Sequence, residues 1–174
     1  LESVVSDLKV KKRETQLLKT QADNAKKGYI LTRELEQHEL SLLQNQVDQL
    51  NGAALAYIGD AIYELYVRQH VIASGLTQPN RLHRAATRYV EAKGQAYAMQ
   101  CLRDQETLNE EELTIYKRGR NHKANTKAKN ASIGDYRQAT GFEALLGWLH
   151  LSGQSQRLEE LIAQSLALID QRGQ

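Results

Sequence analysis

AALAYIGDAIYELYV, residues 53–67, carries only two charges, Asp60 and Glu64, in a run that otherwise reads as a helix apolar enough to be buried. On a helix these two acids stand one turn apart on a single face, where like charges repel by about 0.2–0.5 kcal/mol. Moving a carboxylate into apolar surroundings costs more again unless something pairs with it. A second stretch, QATGFEALLGWLHL over 138–151, repeats the anomaly with Glu143 as its only charge. Neither stretch holds a Lys or Arg to relieve it locally. Two explanations follow. Arginines from elsewhere in the fold could pair with the acids, or a divalent cation could, since hard Mg²⁺ is held by a few carboxylates together with water and phosphate oxygens.

Around these two stretches the composition is that of a helical, soluble chain. At 174 residues there is enough sequence for one core domain with some left over. One Pro, one Trp and one Phe, beside plentiful Ala, Leu, Gln, Glu, Lys and Arg, favour helices over strands, so the predicted class is all-α. The single Cys101 excludes an intrachain disulfide framework and a Cys-rich zinc site, and it points to a reducing, cytoplasmic setting. No run is apolar enough for a membrane span, and no signal-peptide pattern opens the sequence. No zinc-spaced His pair, P-loop or GxGxxG is present.

Punctuation residues divide the rest. Residues 1–46 are polar, with Leu8, Leu18, Leu31, Leu35 and Leu42 at loose helical spacing; they read as two helical segments hinged near Gly28, a hairpin or coiled-coil arm, with a solvated helical or partly disordered extension as the plain alternative. From residue 47 to 174 the apolar pattern tightens into a domain of its own. A helix over 50–73 stops at Ser74-Gly75, and Pro79 opens a second over about 80–103 with a joint at Gly94. Asn109 ahead of Glu110, Glu111 and Glu112 marks another start, ending near Gly119. The helix bearing Glu143 runs from about Asp135 to Leu151. Gly153 then precedes a last amphipathic helix striped by Leu158, Leu161, Ile162, Ser165 and Leu168.

Positive charge is concentrated in YKRGRNHKANTKAKN, residues 116–130. Lys117, Arg118, Arg120, Lys123, Lys127 and Lys129 are interleaved with Gly, Asn and Thr, including Asn121. Such runs are commonly solvated loops. The interleaved donors and flexible backbone suit contacts along a phosphate chain better than a packing surface. Arg81, Arg84 and Arg88 share one face of the helix over 80–92, the arrangement of a helix laid against a polyanion.

LNGAALAYIGDAIYELYVRQH (50–70), KRGRN (117–121), AKN (128–130) and YRQATGFEALLGWL (136–149), in this order, resemble the ribonuclease III family. They are most similar to its short Mini-ribonuclease 3 branch, an endonuclease domain without a double-stranded-RNA-binding domain. The resemblance puts Asp60 on the family's metal-binding aspartate and Glu143 on its second essential carboxylate. Longer members carry further acids where this chain has Ala53, Ala56 and Thr140. Glu64 follows Asp60 by one turn and is expected to contribute through water at most.

What the resemblance implies is Mg²⁺-dependent hydrolysis of double-stranded RNA, with Mn²⁺ able to substitute, leaving 5′-phosphate and 3′-hydroxyl ends. It also implies a homodimer whose two sites cut opposite strands, and a ribosomal RNA precursor of the large subunit (23S) as substrate. Two rivals belong to other classes: a non-catalytic domain that binds structured RNA as a scaffold, and a helical assembly protein built around residues 1–46. Retention of both Asp60 and Glu143 argues against the scaffold.

Overall fold

The most extensive packing in the molecule joins two helices whose sequences alone look too apolar for a surface. In the computed structural model, which describes residues 2–122 and 132–172, every element is an α-helix. In chain order these are α1 (Glu2–Gln49), α2 (Gly52–Ala73), α3 (Pro79–Val90), α4 (Ala92–Asp104), α5 (Glu110–Arg120), α6 (Ile133–Leu151) and α7 (Ser155–Arg172). The chain divides into two compact units, residues 1–45 and 46–174.

In the second unit α6 is the axis. Phe142, Ala144, Leu145, Leu146, Trp148 and Leu149 are all buried, so apolar side chains face neighbours on every side of the helix. Helix α2 covers one flank with Leu55, Tyr63 and Val67, and Tyr63 meets Phe142 edge to face at 5.1 Å between ring centres. Helices α4, α5 and α7 close the remaining sides, α7 with Leu158, Leu161, Ile162, Leu166 and Ile169. Ser165 is accommodated in the buried stripe because its hydroxyl donates to the Leu161 carbonyl of its own helix at 2.7 Å.

Local signals set the ends. Asn51 Oδ1 accepts the Ala54 amide at 2.9 Å and starts α2, which ends at Ser74 ahead of Gly75 with φ +87°. Asn109 and Glu112 form a reciprocal capping box on α5. Glu112 is buried there and is matched by Arg157 of α7, whose Nε donates at 2.7 Å and whose Nη2 also reaches the Thr107 carbonyl at 2.7 Å. Ser132 caps α6 through the Asp135 amide at 3.0 Å.

Two expectations are corrected. Residues 1–46 are not hinged at Gly28: α1 is one uninterrupted helix through it. A lone glycine weakens a helix by about 1 kcal/mol relative to Ala without having to break it, and the Thr32 hydroxyl bonds back to the Gly28 carbonyl at 2.9 Å. The second stretch does break, but at Glu91, whose extended backbone (ψ 148°) ends α3 and starts α4. Gly94 is what lets α4 turn back so tightly, because a Cβ there would overlap the Arg88 carbonyl oxygen.

Candidate active site

Asp60 and Glu143 are brought together by two glycines. Gly59, the residue before Asp60, lies so close to α6 that a Cβ would overlap the Glu143 carbonyl oxygen. Gly147, one turn beyond Glu143, sits the same way against the Leu55 carbonyl oxygen of α2. The helices therefore touch backbone to backbone around Glu143, and the carboxyl beside Gly59 is presented to the carboxyl of Glu143. Nothing in the spacing of acids along the sequence singled out these glycines.

The electrostatics record the approach. Burial, and then the charge of Asp60, push the Glu143 carboxyl from its ordinary 4.5 up to about 8, while a side-chain hydrogen bond from Gln95 pulls it down. Asp60 is raised by burial and then by the charge of Glu64. Among the described residues no ion pair reaches Asp60 or Glu143. Glu64 differs. Arg68, one turn along α2, binds its carboxylate at 2.5 Å, so the pairing explanation holds for Glu64 alone.

A carboxyl whose pKa rises on folding destabilises the fold once it ionises. Stability from this group is full below about pH 4.5 and is lost as the pH climbs toward about 8. The metal-free protein should therefore melt at progressively lower temperature between about pH 5 and about pH 8. Glu143→Gln should flatten that trend, and scanning calorimetry across the range would show an unchanged slope if the assignment were wrong.

Where longer relatives of the resemblance carry further acids, Ala56 is buried and the Thr140 hydroxyl donates to the Tyr136 carbonyl at 3.0 Å. Among the described residues no third Asp, Glu, His or Cys joins the pair to make a metal cluster. Two hard carboxylates, one of them disfavoured as an anion by its surroundings, fit a hydrated Mg²⁺ that takes its remaining ligands from water and phosphate.

The basic residues fall into three groups. Lys117, Arg120 and Asn121 are exposed at the last turn of α5. Gly119 between them presses on α6, where a Cβ would come within 2.8 Å of the Thr140 carbonyl and 2.5 Å of Ala144 Cβ. Their turn thus abuts the turn of α6 that carries Glu143. Arg118 instead points inward, its Nη1 donating to the Asp48 carbonyl at 2.6 Å and the Leu50 carbonyl at 3.2 Å. On α3, Arg81 and Arg84 are exposed, whereas Arg88 pairs with Asp170 of α7 at 2.7 Å. Lys123, Lys127 and Lys129 lie outside the described residues.

A ribonuclease III domain model matches residues 53–154, the span from the start of the Asp60 helix to just past the Glu143 helix. The chain belongs to the ribonuclease III family. It is 60% identical over 114 residues to the Mini-ribonuclease 3 of Enterococcus faecalis, covering 66% of this chain and 86% of that protein. It is 50% identical over 117 residues to the Mini-ribonuclease 3 of Streptococcus pneumoniae, covering 67% and 91%. A crystal structure of a Fusobacterium nucleatum protein superposes with a TM-score of 0.59 at 30% identity, covering 66% of this chain and 90% of that one. Membership in the family's Mini-ribonuclease 3 branch makes the chain an endoribonuclease with an all-α fold. Among the described residues no helix is long and apolar enough to cross a membrane.

Proposed function

We propose that this endoribonuclease cleaves double-stranded RNA with Asp60 and Glu143 as its metal-binding carboxylates, and that it matures the large-subunit ribosomal RNA precursor. The observation that carries the reading is the meeting of these two acids beside the close approach at Gly59, with the basic end of α5 on the same turn of α6. Asp60 and Glu143 would hold Mg²⁺, or Mn²⁺ in its place. Bound there, the ion supplies an activated water and a counter-charge for the phosphate. Glu64, engaged by Arg68, takes at most a water-mediated part. Residues 47–174 form the catalytic domain, and 1–46 is an extension outside the chemistry. The deciding assay is incubation of the protein with long double-stranded RNA with and without Mg²⁺. Metal-dependent fragments ending in 5′-phosphate are expected, and RNA left intact at all metal concentrations would refute the reading.

Lys117, Arg120, Asn121, Lys123, Lys127 and Lys129, with Arg81 and Arg84, touch the duplex through phosphates and 2′-hydroxyls, since side chains cannot read the deep A-form groove. Replacing Lys117, Arg120, Lys123 and Lys127 together by Gln should weaken duplex binding. It should also reduce the log–log salt slope by about 0.7–0.9 for each phosphate no longer neutralised. An unchanged slope would leave this segment as solvated surface. Arg118 and Arg88 serve the fold first, and their replacement would confound the measurement.

The active species is a homodimer joined along α2. That helix keeps Tyr57 81% exposed, Leu65 52% and Ile72 58%, apolar side chains flanking the Glu64–Arg68 ion pair that a second copy would cover. Ile62 and Tyr66 are partly buried against the protein's own core. Tyr57→Asp combined with Leu65→Asp should yield a folded monomer by sedimentation velocity, and a stable dimer would exclude this face.

A further inference from the structure

Four cations of α1, Lys12, Lys19, Lys26 and Arg33, recur every seven residues. At a rise of about 1.5 Å per residue, neighbours in this set lie about 10.5 Å apart along the helix. Each step drifts only about 20° round the axis, so all four share one face. Residues 10–34 are exposed throughout, and among the described residues no ion pair engages any of the four. Arg33 lies over the Tyr29 ring at 5.9 Å, a contact that leaves its charge in place. Between residues 11 and 33, seven Lys and Arg stand against two acids, in a chain whose formal net charge is only +2. Of those acids, Glu14 is on the far side of the helix from Lys12, and Asp23 alone borders the cationic face. The contacts assigned above to α5 and α3 leave this face unused.

An exposed helix of this length could instead pair with a second copy. Its apolar residues do not favour that: Leu17 and Leu18 are consecutive, as are Ile30 and Leu31, and consecutive residues point different ways. A coiled-coil register with Leu18 and Tyr29 in the seam also places Lys11, Thr15 and Thr32 there. In that register Lys19, Lys26 and Arg33 would meet Glu14, Gln21 and Gly28 of a parallel copy, one acid for three cations. An antiparallel copy would set cation against cation. A nucleic-acid duplex, charged along its whole length, offers an anion to all four. We propose that the face of α1 bearing Lys12, Lys19, Lys26 and Arg33 is a second binding surface for double-stranded RNA, holding phosphates without reading bases. This rests on the double-stranded RNA substrate proposed above. Because α1 is joined to the catalytic domain by the chain itself, RNA held on α1 reaches that domain at a raised effective concentration.

The test uses the full chain and long double-stranded RNA in EDTA, so that binding is read without cleavage. Replacing all four cations by Gln retains good helix formers at exposed positions, so the melting temperature should not move. The log–log salt slope of binding should fall by about 3, from about 0.7–0.9 for each of the four phosphates. Lys12→Arg, Lys19→Arg and Lys26→Arg together keep the charge and should keep the wild-type slope. Lys19→Glu with Lys26→Glu is a smaller change that covers the case of a Gln variant that loses helix. It should lower the slope by about 1.4 or more. An unchanged slope in the folded Gln variant, or in the Glu pair, would overturn the proposal. A variant that sediments as a smaller species while its slope stays at the wild-type value would show that the face meets a second copy, and would overturn it equally. A wild-type chain that binds no duplex would overturn this surface and the substrate reading together; wild-type binding with no loss in the variants overturns the role of α1 alone.

Discussion

Asp60→Asn and Glu143→Gln should each reduce cleavage of long double-stranded RNA by about a thousandfold or more, the equivalent of several kcal/mol of transition-state stabilisation. Both amides keep the shape of the acid and discard its charge. Neither change should harm the fold. Glu143 sits where an anion is disfavoured by burial and by Asp60, so Gln there removes an electrostatic cost. Duplex affinity should persist in both variants, because the phosphate contacts proposed above are made by the cations at the end of α5 and on α3. Glu64→Gln should be far milder, since its carboxylate is already engaged by Arg68. The comparison needs single-turnover rates, melting curves and binding isotherms on the same preparations. Near-wild-type cutting by either amide variant would remove that residue from the site.

Gly59→Ala should be nearly as damaging to activity, by a different route. The added methyl would occupy the space of the Glu143 carbonyl oxygen, and neither helix backbone can yield without parting α2 from α6. Overpacking of a close-packed interface costs about 1–3 kcal/mol, and a backbone-to-backbone clash lies at the upper end or beyond. Because this crossing sets the distance from Asp60 to Glu143, even a variant that folds should show weakened Mn²⁺ binding. An Ala variant with wild-type melting temperature and metal affinity would mean that the helices are not held together here. Ala at Gly28, where nothing lies within 4 Å, provides the control and should be neutral or slightly stabilising.

Several parts of the molecule are legible in the residues alone. Ser74-Gly75, Pro79, Asn109 and Gly153 mark helix ends through hydrogen bonds and dihedral limits that act within a few residues. Local pattern suffices there, and the stop of α2, both ends of α5 and the start of α7 follow it. The three acids in apolar helices, Asp60, Glu64 and Glu143, are equally visible, because a carboxylate in such a setting is a physical anomaly wherever the helices end up. Gly28 misleads for the converse reason. A glycine permits a break without requiring one, and nothing else in α1 enforces it.

The sequence by itself determined an all-helical chain, a family signature and the two carboxylates proposed to hold the metal. Only the tertiary structure decided which groups meet. It set Asp60 beside Glu143 through Gly59 and Gly147, turned Arg118 toward the Asp48 and Leu50 carbonyls, and engaged the exposed Arg88 with Asp170. It also separated the Tyr57 and Leu65 face of α2 from the Tyr63 and Val67 face, which composition alone left equivalent. The physical reason is range. Caps and propensities act along one stretch of backbone, whereas the approach of two helices depends on the side-chain volume at the place where they cross.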